Sequence, residues 1–301
     1  MCFLGTFLLT SCCNSSRKED IQDSLVVMFT GDVLLDRNVR PLIENRGVNW
    51  LFEKVTPLLK QADASVINLE CPLTSVSTPL GKRFIFKADP HWAKDLYEAG
   101  VTHAALANNH TNDQGLQGFK STLESLKAAG ITPLGNTRVG EETSPTLIEN
   151  GHLKLAVFNA VLFPLENWMP QDSSADIPWQ TDILKLCNTI KRYKATHSEA
   201  HVICVLHWGI EYQSLPTPSQ CKQARMLAES GVEAIIGHHP HVIEQMQMVK
   251  GIPVAYSLGN FVFDNQRPET CKTQVAELIL KTDTLYLKMH DFHLERCRPV
   301  Q

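Results

Sequence analysis

The amino-acid sequence predicts an α/β fold on the basis of two observations. Short apolar runs rich in Val and Ile recur along the chain, which is typical of strands covered on both faces. Helical segments alternate with these runs, and several of them end at a glycine. The chain has 301 residues, 43% of them apolar, which is enough for one large domain or two small ones.

Seven runs are predicted to be strands because they are short, and most are continuous and apolar. In chain order they are Leu25–Thr30, Ser65–Leu69, Thr102–Ala107, Leu153–Asn159, His201–Leu206, Ala234–Ile236 and Pro253–Ser257. Further along, Gln274–Leu280 and Thr284–Phe292 alternate in polarity, which predicts a hairpin.

Five helices are predicted between the strands, and three of them are followed by a glycine that ends the helix. The helices are Leu51–Gln61, Pro90–Ala99, Leu116–Ala129, Thr181–Tyr193 and Ser219–Ser230. Two long connections, Thr74–Arg83 and Pro164–Trp179, are predicted to be loops at the rim of a site.

Charge and hydropathy point away from two classes of protein. The net charge of −4 and the pI of 6.3 provide no basic surface, so no nucleic-acid partner is indicated. Beyond the N-terminal segment no apolar run approaches 20 residues, so no transmembrane helix is predicted there. The nine cysteines form no metal-binding C-x-x-C set, and Cys204 lies in an apolar run as a predicted core residue.

The N-terminal segment predicts export. Residues 1–12 are apolar and uncharged, and their last four, Leu9 to Cys12, resemble the bacterial lipobox. Residues 13–23 form a polar tether, and residues 24–301 are expected to form the folded domain. No Lys or Arg precedes Cys12, and a short buried or frayed segment is the alternative. We expect a bacterial lipoprotein that is anchored through Cys12 to an extracytoplasmic membrane surface.

Six polar motifs at the ends of apolar runs are the most informative feature of the chain. Their carboxylates, amides and imidazoles are ligands for divalent metals. Because ligands in α/β proteins bind at the carboxyl ends of strands, motifs far apart in sequence can meet there. The motifs are Gly31-Asp32, Asn68-Leu69-Glu70, Asn108-Asn109-His110, His207-Trp208-Gly209, Gly237-His238-His239-Pro240-His241 and Gly259-Asn260.

Each motif has an ordinary structural alternative, but together they favour a metal site. Asp32 could form a turn, Asn109 could cap a helix, and a lone histidine such as His207 is more often a core residue. Glu70 is harder to explain, because a carboxylate that continues a buried run needs a cation or donors. Two divalent ions about 3.5–4 Å apart would use such a mixture of ligands and activate water. His110 would then protonate the leaving group.

The order of the motifs resembles the calcineurin-like metallophosphoesterase superfamily, whose fold is a single-domain, four-layered α/β/β/α sandwich. Within it, the chain resembles the CapA branch of capsule and poly-γ-glutamate biosynthesis proteins over residues 25–264. The segments that carry the resemblance are Gly31–Arg37, Asn68–Leu73, Ala107–Asp113, His207–Glu211, Gly237–His241 and Ser257–Phe261.

The resemblance implies a role for each motif. His110 matches the catalytic histidine, and His238 is a neighbour of the terminal ligand pair. The superfamily has a histidine where this chain has Leu34, so one metal position lacks a ligand, as in the CapA branch. The implied ligands of one or two Mn, Zn or Fe ions are Asp32, Glu70 in place of the bridging aspartate, Asn109, His207, His239 and His241.

Four more residues of the motifs are predicted either to support the site or to serve the structure alone. The guanidinium fork of Arg37 matches a phosphate or a γ-carboxylate. Asp113 and Glu211 could orient ligand histidines, and Asn260 could face the site.

Together these inferences predict an exported protein that acts in the synthesis, export or anchoring of an anionic capsule polymer such as poly-γ-glutamate. Its partners would be the polymer or its precursor, the membrane and a membrane polymer synthase complex. The chemistry would be metal-assisted hydrolysis or transfer at a phosphoryl or amide centre. Two alternatives stay open: a secreted metallophosphatase on small phosphoesters, against which Leu34 argues, and a non-catalytic scaffold for the synthase.

Overall fold

Two β-sheets packed face to face, with helices on both outer faces, make up the structure. It is a computed structural model that describes residues 24–135, 143–162, 182–264 and 267–301. Three predicted features lie outside the described residues: the signal with Cys12, the tether 13–23 and the loop Pro164–Trp179. No helix in the described ranges has the length and apolar character needed to cross a bilayer.

Within these ranges the chain forms sixteen strands and seven α-helices. The strands are β1 (Leu25–Val33), β2 (Ala64–Leu69), β3 (His103–Ala105), β4 (Thr132–Leu134), β5 (Thr146–Asn150), β6 (Leu153–Val161), β7 (His201–His207), β8 (Ala234–His238), β9 (Ile243–Glu244), β10 (Gln247–Val249), β11 (Ile252–Ala255), β12 (Ser257–Leu258), β13 (Asn260–Val262), β14 (Lys272–Lys281), β15 (Thr284–Glu295) and β16 (Arg298–Val300). The helices are α1 (Arg40–Arg46), α2 (Val48–Phe52), α3 (Thr56–Leu59), α4 (Trp92–Glu98), α5 (Gly115–Ala129), α6 (Ile183–Thr196) and α7 (Pro218–Ala228).

Both large sheets have parallel strands at their centres. The first sheet has the order β16-β15-β14-β1-β2-β3-β4, and β13 also pairs with β1. The strands β1 to β4 and β13 run parallel, whereas β14, β15 and β16 pair in antiparallel fashion. The second sheet has the order β10-β11-β8-β7-β6-β5, in which the four inner strands are parallel. The carboxyl ends of these parallel strands are where the polar motifs lie.

Three apolar clusters separate the four layers. On β1, Phe29 packs in the cluster between the two sheets, whereas Met28 packs in the cluster between the first sheet and helices α1 to α5. On β7, Val205 faces the space between the sheets, whereas Cys204 packs against α6 and α7. Alternate side chains of a strand point to opposite faces, so each central strand is buried on both sides. The clusters confirm the predicted α/β/β/α sandwich and the core position of Cys204.

The predicted strands are confirmed to within a few residues, with two informative differences. The predicted strand Thr102–Ala107 ends earlier, because the backbone N–H groups of Leu106 and Ala107 donate to the side-chain oxygen of Asn159 on the second sheet. The predicted strand Pro253–Ser257 is divided between β11 and β12.

The predicted helix Leu51–Gln61 is wrong, because two short helices, α2 and α3, with a break between them, occupy this region. Pro57 explains the break, since it has no N–H and is tolerated only in the first turn of a helix. It lies in the first turn of α3, and α2 ends before it at Phe52. The other four predicted helices are present with shifts of three residues or fewer at each end.

Candidate metal centre

The parallel strands of both sheets end at one place, and the polar motifs meet there. Asp32 is the penultimate residue of β1, and Glu70 directly follows β2. His207 is the last residue of β7 in the other sheet. One ligand atom from each of these three buried residues lies within 4.8 Å of the others. The three side chains therefore form a group that could hold a metal ion.

His241 links the carboxylates to the second sheet. Its Nδ1 atom lies 3.0 Å from Oδ2 of Asp32 and 2.9 Å from Oδ1 of Asn260. Its Nε2 atom lies 3.7 Å from Oε1 of Glu70. Asn260 is placed beside Asp32 by the parallel pairing of β13 with β1. The Nδ1 side of the ring is thus held by hydrogen bonds, as is usual for a histidine that ligates metal through its other nitrogen.

Glu70 has a buried oxygen that the described residues leave unsatisfied. Its Oε1 accepts no hydrogen bond from them, and its Oε2 accepts only a 3.3 Å bond from Asn68 Nδ2. The same amide donates to Oδ1 of Asp32 at 2.8 Å. Burial and the nearby Asp32 carboxylate raise the pKa of Glu70 well above its usual value. A buried carboxylate without donors is costly, and a divalent cation would satisfy it, so the residues present fit a metal.

Asn109 and His239 extend the centre around His207. Nε2 of His207 lies 3.0 Å from Oδ1 of Asn109, and the ring of His207 lies 4.8 Å from that of His239. Burial and the neighbouring imidazoles lower the pKa of His207 well below its usual value. Burial, followed by the charge of His241, lowers the pKa of His239 to about 3. Both rings are therefore neutral at pH 7, which is the form that binds metal.

His241 has the opposite electrostatic environment. Burial alone would lower its pKa, but Glu70 and the hydrogen bond to Asp32 outweigh this effect and raise it to about 9. The pKa of Asp32 is lowered despite burial, because His241 donates to it and carries positive charge. The protonated ring and the carboxylate thus form a buried ion pair that joins the two sheets.

His110 stands beside Asn109 and is held by three neighbours. Its Nδ1 lies 2.8 Å from Oδ2 of Asp113 and 3.4 Å from Nζ of Lys82, and the tilted ring of Phe86 lies 4.1 Å away. Burial lowers the pKa of His110 to about 4, Asp113 partly offsets this, and Lys82 lowers it further. Asp113 was predicted to orient a ligand histidine; the structure places it on His110 instead.

Lys82 is a site residue that sequence reasoning missed. Its Nζ lies 3.4 Å from Nδ1 of His110, donates to the backbone oxygen of Asn109 at 2.6 Å and pairs with Asp113. Only 10% of the Lys82 side chain is exposed, so its charge acts on the buried pair beside it. The sequence feature that could have identified Lys82 is the loop Thr74–Arg83, which contains it and is predicted to lie at the rim of the site.

Four other predicted residues have clear positions. Nε of Arg37 lies 3.1 Å from Oδ2 of Asp264, and its guanidinium lies 5.9 Å from the ring of Phe86. Glu211 is exposed, and its negative charge contributes to the raised pKa of Glu70. Nε2 of His238 lies 2.9 Å from the Thr30 carbonyl oxygen, and Leu34 is fully buried in the core cluster between the first sheet and the helices.

Left-handed backbone is concentrated at this edge of the sandwich. Among the described residues, seven non-glycine residues have positive φ, and four of them surround the centre. Such conformations are costly for residues with a side chain and cluster at functional sites. The four residues are Arg37 (φ +54°), Tyr212 (φ +64°), His239 (φ +100°) and His241 (φ +58°).

The four layers form a metallophosphoesterase-like fold. A solved structure described as a 5′-nucleotidase of Staphylococcus aureus, in complex with alpha-ketoglutarate, has a similar fold, with a TM-score of 0.53 and 14% sequence identity. The similarity covers 90% of this chain and 54% of that one. At this identity the likeness concerns the fold alone.

The chain belongs to the family of bacterial capsule synthesis proteins, PGA_cap, which matches residues 26–265. It is 28% identical to the capsule biosynthesis protein CapA of Bacillus anthracis over 266 residues, which are 86% of this chain and 64% of the relative. It is 27% identical to the PGA biosynthesis protein CapA of Bacillus subtilis over 278 residues, which are 86% of this chain and 68% of the relative. The predicted resemblance to the CapA branch is confirmed.

Proposed function

We propose that this protein acts in the synthesis, export or anchoring of an anionic capsule polymer of the poly-γ-glutamate type, through a metal-dependent, hydrolase-like site. The observation that carries the proposal is the buried convergence of Asp32, Glu70 and His207, whose ligand atoms lie within 4.8 Å of one another. Membership of the PGA_cap family supports the class of polymer, as do the two relatives named for capsule and PGA biosynthesis.

The donor set would hold one or two divalent ions, with Glu70 as the shared ligand. Asp32 and His241 would complete the first position once Nε2 of His241 has lost its proton, and Leu34 supplies no ligand atom there. When bound, such ions would act as Lewis acids on a phosphoryl or amide oxygen and lower the pKa of water. The second position would be completed by Asn109, His207 and His239.

The chain's own groups would position the substrate and move the proton. Asp113 holds Nδ1 of His110, so Nε2 is left as the proton-transferring atom. An anionic substrate beside this ring would raise its pKa, because negative charge favours the protonated form, and His110 could then protonate the leaving group. Arg37, oriented by Asp264, would hold an anionic group of the substrate.

Three site variants test the proposal. We expect Asp32→Ala, Glu70→Ala and His239→Ala to lose bound metal and to fail to restore polymer production in a deletion strain. His91→Ala is the matched control, because its side chain is 71% exposed and the residue lies directly before α4. If all three site variants keep wild-type metal content and polymer production, the metal-dependent function is refuted.

The same set separates the two alternatives. Rapid turnover of a generic phosphodiester with manganese, without any effect of the site variants on polymer, would favour a secreted phosphatase. Wild-type polymer production by site variants that have lost their metal would favour a scaffold. Each outcome is read from metal content, phosphodiester turnover and polymer yield measured on the same preparations.

Export and lipid anchoring through Cys12 are part of the proposal. The support is the apolar segment that ends in Leu9-Thr10-Ser11-Cys12, followed by a polar tether. At the membrane surface a polymer synthase complex would be the partner. We expect Cys12→Ala to abolish incorporation of labelled palmitate and to move the protein out of the membrane fraction. Unchanged labelling in this variant would rule out anchoring at Cys12.

A further inference from the structure

Two stacked residues, Arg267 and Tyr212, stand beside the candidate metal centre. The guanidinium carbon of Arg267 lies 4.3 Å from the centre of the Tyr212 ring. That ring lies 6.2 Å from the imidazole ring of His241. Tyr212 therefore stands between an exposed cation and a predicted metal ligand.

The backbone fixes the position of Tyr212. Its φ of +64° is a conformation that bulky residues rarely adopt. Its N–H donates to the carbonyl oxygen of Pro240 at 2.8 Å, and Pro240 lies between His239 and His241. The segment that positions two metal ligands thus also positions the aromatic ring. Strain of this kind marks functional sites more often than it marks ordinary surface loops.

Arg267 keeps a charge that is open to a ligand. Among the residues that the structure describes, no carboxylate pairs with it, whereas Arg37 is paired with Asp264 at 3.1 Å. Arg37 approaches the centre on the side of Phe86 and His110, and Arg267 approaches it on the side of His241. Each arginine therefore lies near a different histidine of the centre, and an extended ligand would be able to contact both.

We propose that Arg267 and Tyr212 form a second anion subsite, which binds a carboxylate of an extended polyanionic chain at least two units away from the unit that lies at the metal centre. This inference rests on the proposed function, since it takes a carboxylate polymer as the ligand. A guanidinium fork matches a carboxylate, and stacking on the ring restricts the side chain before the ligand arrives. A ligand of one or two units at the centre does not reach this subsite.

The test measures binding rather than turnover. Fluorescently labelled γ-linked glutamate decamer and dimer are titrated with the full chain, loaded with manganese, and anisotropy is recorded. The variants are Arg267→Ala, Tyr212→Gly and Tyr212→Phe; glycine adopts a φ of +64° without strain, so the second variant removes the ring and spares the backbone. Arg46→Ala is the matched control, because Arg46 stacks on Trp50 at 4.9 Å in the helical layer.

We expect Arg267→Ala and Tyr212→Gly to weaken decamer binding about 5- to 20-fold and dimer binding less than twofold. Tyr212→Phe and Arg46→Ala should bind both like the wild type, and added salt should weaken Arg267→Ala less than the wild type. If Arg267→Ala binds the decamer as tightly as Arg46→Ala does, the subsite is refuted while the proposed function stands. If the wild type binds neither oligomer, both the proposed function and the subsite are refuted.

Discussion

Nδ1 of His241 lies 3.0 Å from Oδ2 of Asp32, although 209 positions separate the two residues in the chain. Asp32 lies on β1 of the first sheet, and His241 follows β8 of the second. Their contact therefore closes the gap between the sheets at the edge where the polar motifs meet. Because both residues are predicted metal ligands, we expect the stability of this edge to depend on bound metal.

A divalent metal is expected to raise the melting temperature of the chelator-treated protein. A ligand at 100 times its dissociation constant stabilises the folded state by about 2.7 kcal/mol. For a chain of this size, that corresponds to roughly 4–5 °C. Differential scanning calorimetry with manganese, zinc or iron after chelation measures the shift. A melting temperature that none of the three metals changes would contradict the metal centre.

Glu70→Gln is expected to abolish this metal response without destabilising the metal-free protein. The wild-type carboxylate is buried with an oxygen that accepts no hydrogen bond from the described residues, so the neutral amide removes the cost of a buried charge and keeps an acceptor for Asn68. We expect the metal-free melting temperature to equal or exceed that of the wild type. A large loss of stability in the chelated variant would show instead that Glu70 serves the fold.

Lys82→Met is expected to destabilise the protein by about 3 kcal/mol, because it leaves the Asp113 carboxylate buried without its cation. Lys94→Met is the control. Lys94 is 78% exposed and forms only a 3.8 Å helical pair with Glu98, so its loss should cost less than about 0.5 kcal/mol. Urea unfolding monitored by circular dichroism compares the two. Equal effects would mean that Lys82 is an ordinary surface lysine.

Glu244 is expected to make stability depend on pH. It accepts a 2.8 Å hydrogen bond from Gln220, and burial raises its pKa from 4.5 to about 7. Between these values the folded protein holds a proton that the unfolded chain has lost, so the free energy of unfolding falls as pH rises from about 4.5 to about 7. Glu244→Gln should remove this fall, measured by urea unfolding at several pH values. A difference between variant and wild type that does not change with pH would refute the shift.

Gly31→Ala is expected to destabilise the fold by at least about 3 kcal/mol and to reduce metal content. A Cβ at this position would overlap the backbone carbonyl of Gly259, which lies where β1 and β13 come together beside Asp32. Gly81→Ala is the control, because a Cβ there would meet nothing within 4 Å. Melting temperature and metal analysis of both variants decide the point. A Gly31→Ala protein with wild-type values would show that this close approach is not required.

The sequence predicted the fold well where local patterns were strong. Apolar runs such as His201–Leu206 marked strands, and the glycine after Leu116–Ala129 marked the end of a helix. The prediction of one helix over Leu51–Gln61 is wrong, because it gave more weight to the helical spacing of apolar residues than to the proline that interrupts the segment. It also missed β13, whose three residues carry Asn260 to Asp32. A strand this short has too few residues to show a period.

The sequence by itself determined the order of strands and helices, the polar motifs at strand ends, and the absence of a histidine at Leu34. These features depend on residue type and spacing along the chain, which local preferences and hydrophobic patterning express directly. Only the tertiary structure decided that Lys82 lies on His110, that Asp113 holds that ring, and that Arg267 stacks on Tyr212. Those contacts join loops whose positions depend on how the two sheets pack against each other. The periodicity of the sequence does not specify contacts between residues that are far apart in the chain.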